Sequence, residues 1–139
     1  MTKKITIDEL LETFTLMDDW EEKYSFLISL GEKLTPLDNQ YKNDDFKVNG
    51  CVSQVWMVIE KNEVDIFDIK ADSDAILVKG LIAIVLSAFD HKTAAEIIAF
   101  DIDTLFKSLG LDQQLSPNRR NGFFSMVEKI KKTASLSLT

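Results

Sequence analysis

An α+β fold, in which a small antiparallel sheet of about three strands packs against several helices, is what this 139-residue sequence predicts. Three observations carry that prediction. Apolar residues recur at helical spacing behind Thr, Asp or Ser caps towards both ends of the chain. Residues 54–60 and 64–70 are rich in β-branched and aromatic side chains and flank a polar turn, the pattern of a hairpin. Residues 74–89 are apolar around almost the whole circumference of a helix, which marks a helix covered on most sides. Helices gathered about one small antiparallel sheet are the layers these elements allow.

The first helix starts after Thr6, where Thr6-x-x-Glu9 reads as a capping box. Ile7, Leu10, Leu11, Phe14 and Met17 form its apolar stripe. Asp18 and Asp19 interrupt the stripe, and a second helix is expected from Trp20 to about Lys33, with Trp20, Tyr24, Leu27 and Ile28 facing inward. Pro36 ends that region, because proline disfavours helical geometry in the residue before it. Residues 35–49 are polar, and a structureless connection of that length in a compact domain usually serves a function. Residues 54–60 are too apolar on both faces for an edge strand. Lys61-Asn62-Glu63 supplies the turn, residues 64–70 the return, and a short third strand is expected near residues 47–50. The central helix is placed at residues 74–89, with Asp72 and Asp74 as caps at its start. Thr93-x-x-Glu96 opens a short helix through Phe100, and Asp101 caps another that Gly110 stops. Ser116 at N-cap and Pro117 at N1 begin the last helix, whose buried stripe is Phe123, Met126, Val127, Ile130 and Ala134.

Composition narrows the function. The length fits one domain spanning residues 1–139, large enough to fold without a metal or disulfide staple. With 16 basic against 23 acidic residues the net charge is -7, which disfavours nucleic acid and anionic membranes as partners. Lys3 and Lys4 are followed by Asp8, Glu9 and Glu12 instead of an apolar run, so no secretory signal is expected. The apolar stretch at residues 75–89 is interrupted by Lys79 and Ser87 and is too short for a bilayer. A single cysteine, Cys51, cannot form an intrachain disulfide, which suits a reducing cytoplasm. The same count excludes a CxxC redox pair and a multi-cysteine zinc site, so no metal or cofactor is expected.

Cys51 admits two readings: a small buried hydrophobe, as free cysteines usually are, or a working thiol. It lies between the polar connection and the first strand, outside any apolar stripe. Gly50 removes a side chain beside it and lets another molecule approach, while Ser53 and Gln54 add hydrogen-bonding groups. Acyl transfer would need a base, and His91, the one histidine, is expected at the central helix's C-terminal end, where the dipole alone favours it. Sulfur relay needs only one thiolate that attacks a partner's persulfide and then presents the outer sulfur.

Gly50-Cys51-Val52-Ser53-Gln54-Val55-Trp56 resembles the G-C-x-S-x-V-W signature of SufE-type proteins (the SufE/CsdE family). Trp20-Glu21-Glu22-Lys23-Tyr24 with Leu30-Gly31 is similar to that family's first block. Asp72-Ser73-Asp74-Ala75 with Val78-Lys79-Gly80-Leu81 is similar to the block opening its central helix. Leu115-Ser116-Pro117-Asn118-Arg119 with Gly122 resembles its C-terminal block, L-(S/T)-P-x-R-x-x-G. The resemblance implies a SufE/IscU-like fold and puts the acceptor cysteine at Cys51. It implies a sulfurtransferase-type accessory with a covalent persulfide and little turnover alone, which also stimulates its desulfurase. Sulfur would come from a SufS/CsdA-like cysteine desulfurase, whose pyridoxal phosphate stays with that partner, and would pass to a SufBCD-like iron–sulfur scaffold. IscU-like scaffolds carry further cysteines for the cluster, and this chain has none. A desulfurase-binding adaptor that carries no sulfur, and a structural domain with an inert cysteine, are the alternatives. Oligomeric state stays open, a homodimer included.

Other residues carry paired readings. Arg119 and Arg120, in the last helix's first turn, are solvated charges, or Arg119 ties that helix to the Cys51 loop or meets the desulfurase. Asp74 is a cap or, by resemblance, a loop or partner contact, as are Gly50, Ser53 and Gln54. Gly80 interrupts an apolar helix at about 1 kcal/mol against alanine, which implies close packing, here expected under the Cys51 loop. Trp56 reads as core strand. The polar run 38–45 is a solvated loop or a shield for Cys51.

Overall fold

The computed structural model describes residues 5–138. Among them the chain forms α1 (Ile7–Thr15), α2 (Trp20–Glu32), β1 (Val55–Lys61), β2 (Ile66–Ser73), α3 (Ile76–Phe89), β3 (Lys92–Thr93), α4 (Ala94–Ala99), α5 (Ile102–Ser108), α6 (Leu111–Gln114) and α7 (Pro117–Ser137). The strands make one antiparallel sheet in the order β1-β2-β3. This is the α+β arrangement the sequence predicts.

The helix starts follow their side chains. Thr6 and Thr93 close capping boxes with Glu9 and Glu96. Asp19, Asp101 and Ser116 accept from Glu22 N, Thr104 N and Arg119 N at the heads of α2, α5 and α7. Each satisfies a backbone donor that the first helical turn leaves over. The inward face of α2 differs from expectation. Leu27, Leu30 and Gly31 are buried, while Tyr24 is exposed and Trp20 and Ile28 are half-buried. Gly110, with φ +76, ends α5 as expected but also opens the unexpected α6.

α3 is the axis of the molecule, packing on α2, β2 and α7, with ten of its fourteen residues buried. Gly31 and Gly80 let α2 and α3 cross backbone to backbone. A Cβ on Gly80 would overlap the Leu27 carbonyl, and one on Gly31 would lie 2.6 Å from Ile76 O. Gly80 is therefore a close-packing glycine, but it lies beneath α2 and not beneath the Cys51 loop. Phe67, Ile69 and Ala71 on β2 alternate into the same core as α3, which is the period-two burial of a half-covered strand.

The hairpin is displaced from its sequence placement. Its return strand runs Ile66–Ser73, because Asn62 organises a turn through residue 65. Asn62 Oδ1 accepts from Val64 N and Ile66 N, and Asp65 takes the left-handed conformation with φ +62. β2 consequently absorbs Asp72 and Ser73. The two acids do not cap α3, whose N-cap is Ala75 with no side-chain bond. The expected strand near residues 47–50 is reduced to one bridge, Lys47 to Trp56, flanked by Val48 N to Val55 O and Met57 N to Phe46 O. Gly50, with φ +89, turns the chain away before a strand can extend. β1 is therefore formally an edge, covered at one end by residues 46–48, and the third strand is β3, paired with Ile66 and Phe67.

Candidate functional site

Cys51 sits on the turn between that bridge and β1, half-buried. Its Sγ lies 3.7 Å from Gly122 O on α7, to which the thiol donates. Gly122 makes that approach roomy, since a Cβ there would lie 3.5 Å from Sγ. Beside it, Gly50 runs so close to α7 that a Cβ would reach 2.5 Å from Ser125 Oγ. The φ of +89 is what calls for glycine at position 50, since the Ser125 hydroxyl is a side-chain tip that can turn aside.

The far side of the loop is fastened at Gln54. Asp74 Oδ1 accepts from Gln54 N at 3.1 Å, and Ser73 Oγ donates to Gln54 O at 2.7 Å. Asp74 thus clips the base of the Cys51 loop to the α3 entrance. Under the loop is a cavity of about 180 Å³ walled by Val55, Val78, Leu81, Phe123 and Met126, with Ser53, Asn118 and Arg119 also lining it. Burial alone acts on the thiol and pushes its pKa above the ordinary value. At neutral pH the resting group is a thiol, not a thiolate.

The structure brings together Gly50, Cys51, Ser53, Gln54, Asp74 and Arg119 from three separated segments. Arg120 is an exposed charge, as expected, whose Nη2 also donates to Asp112 O at 2.6 Å. Other expectations resolve differently. The 38–45 run does not shield Cys51. Lys42 instead docks on β1 and β2, 3.3 Å from Asp72 Oδ2 and 5.8 Å above the Trp56 ring. His91 lies beyond the end of α3, exposed and left-handed with φ +61, and lines a second, larger cavity that does not include Cys51. It is no base for this thiol.

Asp72, expected as a cap, is buried and central to this end of the sheet. It accepts from Leu37 N at 3.0 Å and Ser73 N at 2.8 Å and faces Lys42 and, at 3.7 Å, Lys79. Burial pushes its pKa up, but the two backbone donors and Lys42 outweigh that and leave it lowered. Sequence reasoning missed Ser73 and Ser125 as neighbours of the loop; Ser73 stands inside the Asp72-Ser73-Asp74-Ala75 block without being singled out, and nothing local marks Ser125. Gly122 carried a usable signal, a glycine inside a long helix.

Fold and site together define a small α+β protein presenting one sheltered thiol from a loop laid on a helix. The SufE family model, described as the Fe-S metabolism associated domain, matches residues 8–134. The chain belongs to the SufE family and is associated with iron–sulfur metabolism. The same fold is found in the solution structure of a hypothetical protein from Thermus thermophilus, at 14% identity and TM-score 0.74, with 95% of each chain covered. Among the described residues, no helix is long and apolar enough to cross a membrane.

Proposed function

We propose that this protein is a sulfur carrier. Cys51 takes the outer sulfur of a persulfide held by a SufS/CsdA-like cysteine desulfurase and delivers it to a SufBCD-like iron–sulfur scaffold. The observation that carries this reading is the seat of the thiol: a lone cysteine on a glycine-hinged loop, held by one long hydrogen bond over an apolar cavity. Family membership and the whole-length motif match support it.

The chemistry is thiol exchange onto sulfur. Cys51 loses its proton and attacks the outer sulfur of the desulfurase persulfide. The new S–S bond forms as the old one breaks, and the desulfurase cysteine leaves as thiolate. No net oxidation occurs. The raised pKa makes the resting thiol a poor nucleophile towards small electrophiles, so activation belongs to the docked complex, where the loop leaves Gly122 and the thiol leaves its apolar seat. In that state Gly50 supplies the hinge, Gln54 the fixed base, and Asp74 and Ser73 hold that base. Arg119, at the lip of the cavity, supplies the nearby positive charge for the emerging thiolate.

The test is intact-mass measurement of the chain after incubation with a cognate desulfurase, pyridoxal phosphate and cysteine. A gain of one sulfur atom that is absent in Cys51→Ser is expected. Desulfurase stimulation that survives Cys51→Ser, without any mass gain in the wild type, would establish an adaptor instead. No change in mass or rate would leave an inert cysteine.

A further inference from the structure

We propose that Val52 is the apolar anchor by which this chain docks onto the persulfide-bearing face of its cysteine desulfurase, a role that rests on the sulfur-carrier reading. Val52 is 78% exposed, more than any other large apolar side chain among the described residues. It follows Cys51 directly and shares the rim of the same cavity. The two neighbours face opposite ways: the thiol turns in towards Gly122 O, and the valine turns out to solvent. The loop fixes that orientation from both sides. Gly50 turns the backbone at φ +89 before it, and Gln54 is held after it by Asp74 and by Ser73 Oγ. Val52 stands two residues from each of these points. A side chain presented from a loop held at both ends loses little freedom on being covered, so its apolar area is available to binding.

Chemistry makes Val52 part of the footprint. The new bond between Cys51 Sγ and the incoming sulfur has a length of about 2.05 Å. Consecutive Cα atoms lie about 3.8 Å apart, so Val52 travels with the thiol wherever the loop goes. Any protein that brings a sulfur within bonding reach of Cys51 therefore covers Val52 as well. Polar groups pressed against a valine would lose their water without gaining a partner, which selects an apolar hollow beside the partner's persulfide. Val64 supplies the control. It is 73% exposed, but it stands in the hairpin turn beyond the far end of β1, about 20 Å from the Cys51 loop along a strand of that length.

The experiment uses the full chain and a SufS/CsdA-like cysteine desulfurase carrying pyridoxal phosphate, with the Kd of the pair read by calorimetry and sulfur loading of the wild type by intact mass. Val52→Asn should weaken binding about tenfold, the effect of losing one buried valine side chain. Val52→Ile should keep the wild-type affinity, and Val64→Asn should leave it unchanged. Unchanged thermal unfolding and an unchanged rate of Cys51 alkylation in the free Val52→Asn chain verify that the fold and the seat of the thiol are intact. An unchanged Kd in Val52→Asn overturns the proposal, and so does equal weakening by Val64→Asn. A changed alkylation rate in the free chain overturns it too, because Val52 would then act on the seat of the thiol and not on the partner. If the wild type gains sulfur while Val52→Asn binds as well as the wild type, the anchor fails and the carrier reading stands. A wild-type chain that neither binds nor gains sulfur removes both.

Discussion

Two places in this molecule use glycine to bring backbones close, and they differ in what an added methyl would strike. At the α2–α3 crossing, Cβ atoms on Gly80 and Gly31 would meet backbone: the Leu27 carbonyl and Ile76 O. Under the Cys51 loop, a Cβ on Gly50 would meet the Ser125 hydroxyl, and one on Gly122 would meet Sγ at an ordinary 3.5 Å. The crossing is backbone locked against backbone, inside a core that cannot relax without moving whole helices. The loop rests on side-chain tips and one long S–H···O contact. The first contact fixes the scaffold, while the second holds the Cys51 thiol through contacts that side-chain motion can release.

Perturbations of the two regions should therefore separate. Gly80→Ala has the largest expected effect. Overpacking against fixed backbone should cost about 3 kcal/mol and lower Tm by about 10 °C, measurable by calorimetry, while the folded fraction keeps its thiol reactivity. Asp72→Asn comes next, at about 2 kcal/mol, from weakened hydrogen bonds to buried backbone donors and a lost carboxylate–lysine pairing. The sign with pH follows from its lowered pKa. The carboxylate's contribution is present above the unfolded-state value and is lost as pH falls through the folded one. Denaturant titrations below about pH 4 should show wild-type stability falling more steeply than that of the variant.

Asp74→Asn acts on the loop instead. Weakening the bond to Gln54 N by about 1 kcal/mol should raise the alkylation rate of Cys51 about fivefold, with Tm nearly unchanged. The smallest effect is a shift in a profile. In the folded protein the midpoint of the rate–pH curve of Cys51 alkylation should lie above that of an ordinary thiol, about 8.5, and in denaturant it should return to the ordinary range. The matching stability contribution is full below the unfolded-state pKa and disappears as pH rises through the folded one.

Much of the scaffold was legible because its signals are local. Thr6, Thr93, Asp101 and Ser116 each announce a helix start through a bond to a residue three positions away, while Asp19, read only as a break in the apolar stripe, proves to be a cap of the same kind. The α7 stripe is a periodicity, and Cys51 stood out by count and by the motif around it. What escaped depends on distance in the chain. Asp72 looks like a cap until Leu37 N and Lys42 arrive from the preceding connection. Gly80 announces close packing, but only the structure says against what. The two-residue β3 is too short to carry a period, and its pairing with Ile66 and Phe67 is set by where α3 ends.

The free side of β2 has a consequence for crowding. Past the short pairing with β3, that side is finished by acids: Asp90 takes the Ile69 amide, and Asp72 takes the Ser73 amide. An unpaired strand margin is a template on which other chains can add and aggregate. Among the described residues, two carboxylates stand where a neighbouring strand would pair and repel an incoming backbone carbonyl. Strand addition by copies of the chain is thereby disfavoured along this margin.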